Sequence, residues 1–437
     1  MAGGLGTRMR SSLAKHLHPL LGRRVVDWVI ASAQAAGADR IVIVASPETR
    51  ADYEGLEVAV QEQARGTGDA VASARAALED FEGRILVLDA AAPLLTGDHL
   101  AALAAEHDVQ GASATILSFE SLRDLPYGRI IRGADGAVEG IVEDRDATEA
   151  QKAIRELNSS IYVFETAPLW SALEKIDARN AQGEHYLTDT IAQIVAEGGR
   201  CAAWICPDEA STLGINTRAE LAVAAAVLRD RINEAHMLAG VTIVDPASTW
   251  IDGGVTIEPD AVVHPFTVLR GTTSIAGGAE VGPHVVAVDA SIGEGALVGP
   301  FCYLRPGTVL DSRAKAGTFV EIKKSRIGAR SKVPHLSYIG DAEVGEDTNI
   351  AAGNITANFS HDPARGKGQT TIGKNVRTGV DNTFLAPVSV GDDAWLWSGT
   401  VVADDVPPGS LAGFPPKQVT KKGWVYERGE EENDGGD

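Results

Sequence analysis

Residues 251–280 read IDGGVT-IEPDAV-VHPFTV-LRGTTS-IAGGAE, with an apolar residue at the start of every group of six. A period of six fits neither an amphipathic helix nor an ordinary alternating strand. Six residues can form one short strand and a corner with a single inward side chain, so three units predict one coil of a prism-shaped parallel β-helix. Successive coils would stack at the spacing of strands in a sheet, roughly 4.8 Å.

The six-residue repeat continues to about residue 414, with slips of one residue and one irregular patch. The positions predicted to point inward are Ile251, Ile257, Val263, Leu269, Ile275, Val281, Ile292, Val298, Leu304, Leu310, Ala316, Ile322, Ile327, Val333, Ile339, Val344, Ile350, Ile372, Thr378, Phe384, Val390, Leu396 and Val402. Because such a repeat builds a scaffold, any function must come from other residues placed on it.

Length and composition indicate a folded protein with more than one domain. The chain has 437 residues, 44% of them hydrophobic and 5% aromatic, and its 47 glycines suit a solenoid with tight corners. The net charge of −21 argues against nucleic acid or an anionic membrane as partner. Cys201, Cys206 and Cys302 show neither disulfide nor metal-site spacing. With no signal peptide and no apolar run of membrane length, we expect a cytoplasmic protein.

The segment before the repeat alternates stretches typical of helices and strands. Helices are predicted over residues 25–36 and 70–78, and strands over residues 40–45, 84–88, 112–118 and 160–164. This alternation predicts an α/β domain with a mostly parallel sheet, whose ligands would lie at the carboxyl ends of the strands. Residues 219–239 predict one long Ala-rich helix that ends at Gly240 and links the two domains.

The first nine residues, MAGGLGTRM, form a glycine-dense stretch whose backbone amides can approach phosphates. Arg8 and Lys15 follow closely and could neutralise phosphate charge, although a flexible amino terminus is the alternative interpretation. In a doubly wound sheet such a loop normally follows a buried strand. Here the sequence opens on the loop, so we expect either that the first strand is missing or that the reading frame begins upstream.

Residues 2–20, AGGLGTRMRSSLAKHLHPL, resemble the nucleotide-binding loop of sugar-phosphate nucleotidyltransferases. Further motifs are Gln61 with GTG at 66–68, YGR at 127–129, GIVE at 140–143, GEHYLTD at 183–189, IN at 215–216, LRPG at 304–307, FVEIKK at 319–324 and HLSYIGD at 335–341. Together with the solenoid they make nearly the whole chain similar to the bacterial bifunctional N-acetylglucosamine-1-phosphate uridyltransferase/glucosamine-1-phosphate acetyltransferase family.

The sequence patterns and that resemblance together predict an architecture. It comprises a Rossmann-like α/β nucleotidyltransferase domain over residues 1–218 with its first strand missing, a helical linker over 219–240, a left-handed parallel β-helix acetyltransferase domain over 247–424, and an acidic, disordered tail over 425–437. The resemblance also implies a homotrimer with acetyl-coenzyme A bound between neighbouring solenoids, acting in UDP-N-acetylglucosamine synthesis for cell-wall peptidoglycan.

Acetylation of glucosamine-1-phosphate needs a base for the amine proton and cations for the phosphate, and the resemblance supplies both. His335 matches the catalytic histidine, a role suited to a side chain that titrates near neutral pH, although a lone histidine is more often structural. The sugar-phosphate positions are Arg305, Lys323, Tyr338, Asn349 and Lys367. The acetyl-coenzyme A positions are Ala352, Asn358, Phe359, Val380 and Ser398.

The solenoid departs from the family pattern in three places. Phe359 replaces a tyrosine, Val380 replaces a serine, and the loop after Phe359 is longer than usual. These departures leave open an acetyltransferase that uses a different amino sugar. A third interpretation is a non-catalytic trimer that binds sugar phosphates.

Uridylyl transfer from UTP needs Mg²⁺ to neutralise developing charge. The nucleotide- and sugar-binding positions of the family are Gly4, Lys15, Gln61, Gly66, Thr67, Gly128, Glu143, Asn158 and Asn216, all present here, although Ser160 replaces a glycine. Of the two metal-binding positions, Asn216 is kept, whereas the aspartate position, aligned on Pro93, is Ala91. Asp89 lies two residues earlier, which in a strand moves the carboxylate by about 7 Å. We therefore expect weak Mg²⁺ and nucleotide binding and little uridylyl transfer.

Overall fold

The computed structural model describes residues 1–4, 6–359, 366–415 and 417–426. The chain divides into two compact units, Met1–Ile232 and Asn233–Asp437, so the boundary falls inside the long helix that was predicted as a linker. Most of the predicted acidic tail, from residue 427 onward, lies outside the described residues. None of the helices in the described ranges combines the length and apolarity needed to cross a membrane.

The first unit is built from helices and strands in alternation. The helices are α1 (Val25–Ala35), α2 (Thr67–Ser73), α3 (Gly97–Gln110), α4 (Glu149–Lys152), α5 (Thr166–Leu173), α6 (Asp189–Ala196) and α7 (Arg218–Leu238). The strands are β1 (Pro19–Leu20), β2 (Arg23–Arg24), β3 (Val42–Ala45), β4 (Glu57–Val60), β5 (Arg84–Val87), β6 (Ala114–Glu120), β7 (Arg129–Arg132), β8 (Val138–Val142), β9 (Glu156–Glu165) and β10 (Cys201–Ile205). Short 3-10 helices cover Thr7–Met9, Lys15–Leu17, Arg50–Tyr53, Arg75–Leu78, Glu209–Thr212 and, in the second unit, Pro246–Ser248.

The sheet of the first unit is mixed. Its strand order is β10-β6-β9-β7-β8, and β5 also pairs with β9. Strand β9 runs antiparallel to β5, β6 and β7, so the prediction of a mostly parallel sheet is wrong at its centre. The reason is local: β9 follows the β7–β8 hairpin and the one-turn helix α4, not the long crossover helix that a parallel neighbour requires.

Strands β3 and β4 pair in parallel as a separate two-stranded sheet. Between β3 and the end of β5 lie only Met1 and Ala2. The Ala2 amide donates to the Val44 carbonyl at 2.7 Å, and the Ala90 amide donates to the Met1 carbonyl at 3.0 Å. Met1 and Ala2 thus occupy a strand position between β3 and β5, and both of these strands are longer than this two-residue segment.

The second unit is a left-handed parallel β-helix with three faces. The first face contains Thr242–Ile243, Val262–Val263, Glu280–Val281, Leu297–Val298, Lys315–Thr318 and Lys332–His335, and Trp395–Leu396 pairs with Leu411–Ala412 further along. The second face contains Trp250–Ile251, Val268–Arg270, Val286–Val288, Tyr303–Leu304, Glu321–Lys323, Tyr338–Gly340, Ile355–Ala357, Thr383–Leu385 and Val401–Val402. The third face contains Thr256–Ile257, Ser274–Ile275, Ser291–Ile292, Val309–Leu310, Arg326–Ile327, Ala342–Val344, Thr370–Ile372 and Val388–Val390.

The predicted inward positions form the core of this prism. Every one of them is buried, and Thr378, the only polar residue among them, keeps 8% of its surface exposed. The sequence pattern missed further inward residues, among them Ala287, which stands at a slip, and Thr356, which is polar. The six-residue period is therefore confirmed as the determinant of this fold.

The corner between the first and second faces is lined by a stacked column of exposed side chains. Phe266, His284, Phe301 and Phe319 stack on successive coils with ring centroids 4.8, 4.8 and 5.2 Å apart. Each residue has a positive φ, as has Leu336 on the next coil. This left-handed conformation normally costs a side-chain-bearing residue about 1 kcal/mol or more, so the stacking offsets strain along this edge.

Gly317 lies where two neighbouring coils approach each other closely. A methyl group there would overlap the carbonyl oxygen of Pro334 on the neighbouring strand, which ends at His335. We predict that Gly317→Ala destabilises the solenoid by about 1–3 kcal/mol, the usual range for overpacking, measured by urea unfolding. The control is Gly140→Ala in β8, where the nearest atom is Ala192 Cβ at 3.6 Å. Equal stability of both variants would contradict the close approach.

Candidate active sites

A cluster of cations lies on the second face of the solenoid. The Arg305 amide donates to the Ile322 carbonyl at 2.8 Å, which places Arg305 and Lys323 on adjacent coils. The side chains of Lys323 and Lys367 approach within hydrogen-bonding range, and this contact, reinforced by the charge on Lys367, lowers the pKa of Lys323. Like charges repel at such short range, so the arrangement is suited to an anion.

One carboxylate partly balances this cluster. Arg305 Nη1 donates to Glu321 Oε1 at 2.8 Å, and this hydrogen bond raises the pKa of the guanidinium. Glu321 is a partner that the sequence reasoning missed, although it stands inside the FVEIKK motif that pointed to Lys323. Because one branch of the guanidinium is held by Glu321, its other N–H groups are oriented for a ligand.

Tyr338 and Asn358 lie beside the cations on the following coils. Tyr338 stands opposite Glu321 in the ladder, and Asn358 Nδ2 donates to the carboxylate of Asp341. A Cβ at Gly340 would overlap the Tyr338 hydroxyl, so the glycine is what lets that hydroxyl lie flat on the face. Asp341 is a second partner that sequence reasoning missed within a motif that it had quoted.

His335 lies at the end of its strand, exposed, at the corner between the first and second faces. Its carbonyl accepts hydrogen bonds from Ser337 Oγ at 2.7 Å and from the Gly353 amide at 3.3 Å. The second bond places the turn that contains Ala352 on the next coil, directly beside His335. The imidazole is left on the surface, where it can contact a substrate.

The predicted coenzyme positions follow the same corner. The Asp381 amide donates to the Ala352 carbonyl at 2.9 Å, and the Val380 amide donates to Ser398 Oγ at 3.2 Å. Ala352, Val380 and Ser398 therefore occupy equivalent places on three successive coils. Val380 has no hydroxyl and is 44% exposed. Ser398 supplies a hydroxyl at the equivalent place on the next coil.

Two predicted residues lie at the margins of this arrangement. Phe359 is 67% exposed and pairs through its backbone with Lys367, so the aromatic ring stands next to the cation cluster. Residues 360–365 of the longer loop lie outside the described residues. Asn349 forms backbone β-bridges with Lys332 and Arg377 on the first face. Its described contacts do not join it to the cluster of Arg305, Lys323 and Lys367.

The glycine-rich loop of the first unit packs against Gln61. A Cβ at Gly3 would overlap Gln61 Oε1, and Gln61 Nε2 donates to the Gly66 carbonyl at 3.1 Å. Gly66 precedes α2, and Thr67 Oγ1 accepts from the Leu187 amide at 3.0 Å. Gly4 lies in open space beside this packed set, so its backbone remains accessible to a ligand.

Asp89 lies in the same site as Asn216, which corrects the expectation from sequence. Strand β5 ends at Val87, and the chain then turns, with the Ala91 amide donating to Asp89 Oδ1 at 2.9 Å. Asp89 Oδ2 is 3.7 Å from Lys15 Nζ, which donates to Asn216 Oδ1 at 3.4 Å. The estimated displacement of about 7 Å assumed a continuous strand, and the turn removes that assumption.

The charges in this site already have partners. Burial would raise the pKa of Asp89, but the Lys15 ammonium and the Ala91 amide hold it below its usual value, so the carboxylate is ionised. Asn216 Oδ1 also accepts from Arg8 Nη2 at 3.0 Å. The described residues contain no group of three or more His, Cys, Asp or Glu that could hold a metal ion. The Asp89 carboxylate is thus held in an ion pair with Lys15.

The predicted sugar-binding residues of the first unit lie around β9. Asn158 Nδ2 donates to the Tyr162 hydroxyl at 2.8 Å, and its amide donates to the Gly128 carbonyl at 2.8 Å. Burial raises the pKa of Glu143, although its carboxylate accepts a hydrogen bond from Thr188 at 3.0 Å. Ser160 has φ +64°, a conformation that glycine adopts without strain, which explains why a glycine suits this position.

Comparison with known proteins agrees with both halves of this description. The model of the MobA-like NTP transferase domain family matches residues 1–183. Three bifunctional GlmU proteins are similar over almost the full chain. The protein from Mycolicibacterium vanbaalenii is 45% identical, covering 97% of this chain and 92% of its own length. Those from Streptomyces coelicolor and Trichlorobacter lovleyi are 46% and 42% identical, covering 97% and 98% of this chain and 93% and 97% of their own lengths.

Repulsion within the cation cluster should lower the stability of the solenoid. We expect Lys367→Met to raise the urea midpoint of the solenoid without added anions, because it removes the repulsion that lowers the pKa of Lys323. Sulfate should stabilise the parent chain more than the variant, because the anion site has lost one cation. The control, Lys374→Met, removes an exposed lysine 3.9 Å from Asp392 and should show neither effect. A drop in the midpoint of Lys367→Met would contradict the repulsion.

Proposed function

Because this chain belongs to the family of bifunctional GlmU proteins, we propose that it acts in UDP-N-acetylglucosamine synthesis and that its solenoid acetylates glucosamine-1-phosphate with acetyl-coenzyme A. The observation that carries the proposal is the convergence of Arg305, Lys323 and Lys367 on the face that begins at the corner where His335 is exposed. The cations would bind the sugar phosphate, and the guanidinium, fixed by Glu321, would orient it.

The chemistry assigned to this site needs one base and one leaving group. The sugar amine attacks the thioester carbonyl, the N–C bond forms and the C–S bond breaks, and the coenzyme thiolate leaves. The imidazole of His335 takes the proton that the amine loses and can return it to the thiolate. The coenzyme would lie along the corner row formed by Ala352, Val380 and Ser398. A homotrimer, in which a neighbouring solenoid closes this exposed row, completes the proposal.

Kinetic assays of coenzyme thiol release test this assignment. His335→Ala should lower kcat by about 10²–10⁴-fold with little change in KM, as for the loss of a general base. Arg305→Ala should mainly raise KM for the sugar phosphate. The control is His284→Ala, which removes another histidine from the same corner, between Phe266 and Phe301. It should keep the parent activity.

The choice of substrates decides between the alternatives. Thiol release only with a different amino sugar would favour an acetyltransferase for that sugar. The exposed side chains of Phe359 and Val380 are the observation that supports this alternative. Absence of release with every amino sugar tested, together with retained sugar-phosphate binding, would favour the non-catalytic trimer. Either result contradicts the proposed substrate.

We further propose that uridylyl transfer by the first unit is weak. The Asp89 carboxylate and the Asn216 side chain both contact Lys15, so Asp89 is held in an ion pair. Ala91, at the position where the family has its metal-binding aspartate, is fully buried and provides only backbone, its carbonyl accepting from the Ile215 amide at 2.8 Å. The proposal rests on this combination, since the remaining nucleotide-binding positions are kept.

An assay with UTP, Mg²⁺ and N-acetylglucosamine-1-phosphate tests this second proposal. The parent chain should turn over slowly, and Ala91→Asp should raise the rate about tenfold or more by restoring a carboxylate beside Asn216. Ala92→Asp also introduces a carboxylate at a buried alanine, but among apolar side chains, and should give no gain. Parent turnover at ordinary enzyme rates, about 1 s⁻¹ or faster, would show that the ion pair does not impair the reaction.

A further inference from the structure

A row of buried side chains runs inside the solenoid, beneath the corner between the first and second faces. The residue that follows each member begins a strand of the second face, and its amide donates to the carbonyl of the member on the next coil. We call this set the inner row. Its members, all buried, are Thr249, Thr267, Val285, Cys302, Val320, Ser337, Asn354, Asn382 and Thr400.

The inner row changes its chemistry partway along the solenoid. The three members from Val285 to Val320 have no hydroxyl or amide group in the side chain, whereas the four from Ser337 to Thr400 all have one. The change falls on the coil of His335, where the aromatic column of the corner gives way to the predicted coenzyme positions. Polar groups in an interior need hydrogen-bond partners, so the partners of these side chains show what they hold in place.

The side chain of Asn354 joins two successive turns of the corner. Its Nδ2 donates to the Ala351 carbonyl at 2.7 Å and to the Gly379 carbonyl, on the next coil, at 3.0 Å, with a longer contact to the Ala352 carbonyl at 3.3 Å. Asn382 Nδ2 donates to the same Gly379 carbonyl at 3.2 Å. Because both asparagines are fully buried, the carbonyls of Ala351 and Gly379 are directed into the solenoid.

Inward carbonyls turn the amides that follow them outward. In a trans peptide the N–H group points away from the C=O group, so the amides of Ala352 and Val380 face the surface of the corner. The Val380 amide shows this direction directly, since it donates to the hydroxyl of the exposed Ser398 at 3.2 Å. Within the described part of the chain, the Ala352 amide has no hydrogen-bond partner.

Packing alone does not account for an asparagine at position 354. Its Oδ1 is buried and has no hydrogen-bond partner among the residues that the structure describes. A buried acceptor without a partner destabilises a fold, whereas Val285 fills the equivalent place on an earlier coil without that cost. The part of Asn354 that is fully used is its donor group, which holds the corner.

We propose that Asn354 and Asn382 are positioning residues for acetyl-coenzyme A. By holding two carbonyls of the corner inward, they present the amides of Ala352 and Val380 as a pair of donors on successive coils, at the spacing of neighbouring strands, roughly 4.8 Å. Coenzyme A carries amide carbonyls and phosphate oxygens along an extended chain, and such acceptors suit a series of backbone N–H groups. The inference rests on the proposed acetyl transfer and adds the residues that shape its coenzyme site from inside.

Binding of coenzyme A to full-length chains, measured by isothermal titration calorimetry, tests this role. Asn354→Ala should raise the Kd about tenfold or more, as expected when hydrogen bonds to the ligand are lost or misplaced. The KM for glucosamine-1-phosphate in the thiol-release assay should not change. Asn354→Thr should fall between this variant and the parent chain, because a threonine hydroxyl here can donate to the carbonyl three residues earlier, as Thr400 does to Trp397 at 2.8 Å.

A matched control and a second measurement separate positioning from stability. Val285→Ala removes a buried side chain from the same inner row, so it should lower the Tm by about 2 °C or more and leave the Kd for coenzyme A unchanged. In the parent chain, bound coenzyme A should slow hydrogen exchange at the amides of Ala352 and Val380 about tenfold or more.

Three results would overturn the inference. Equal Kd values for the parent chain and Asn354→Ala, or unchanged exchange at both amides in the bound parent chain, would remove the positioning role and leave the proposed function standing. An equal rise in Kd for Val285→Ala would show that both substitutions act only through the stability of the solenoid. A parent chain that binds no coenzyme A would overturn the proposed function together with this inference, so the two failures are distinguishable.

Discussion

Backbone hydrogen bonds between successive coils are the constraint on which the solenoid depends. Its strands are two to four residues long and offer one or two inward side chains each, so no single strand has a core of its own. Each coil is held by the ladder to the coils before and after it, at the spacing of neighbouring strands, roughly 4.8 Å. Any side chain at a given place in one coil consequently stands directly above its equivalent in the next.

This stacking explains why the candidate acetyltransferase site is built from rows. On the second face it brings Arg305 and Lys323 side by side, and the Phe359–Lys367 bridge adds another cation despite the repulsion. At the corner it aligns Ala352 with later coils and places His335 beside them. A regular ladder thus forces like groups together, which favours binding of an anion or of a long ligand that follows the edge. The aromatic column that precedes His335 shows that the same edge carries apolar surface as well.

The sequence was informative wherever function and fold depend on a repeated local rule. One inward residue in six identified most of the core of the second unit, and residues such as Ala287 and Thr356 were missed because one stands at a slip and the other is polar. The resemblance pointed to His335 and the cations, but not to Glu321 or Asp341, because a salt-bridge or hydrogen-bond partner on a neighbouring coil has no signature in local sequence. In the first unit, the direction of β9 depends on how short the preceding connection is, which periodicity does not encode.

Asp89 shows most clearly where reasoning from spacing fails. Counting two residues from Ala91 gives a separation only if the backbone is extended, whereas a turn begins immediately after β5. The turn brings the carboxylate to Lys15, so the site keeps a negative charge near Asn216 but already neutralises it. Alanine at position 91 adds no carboxylate of its own, so the charge balance beside Asn216 depends on the contact between Asp89 and Lys15.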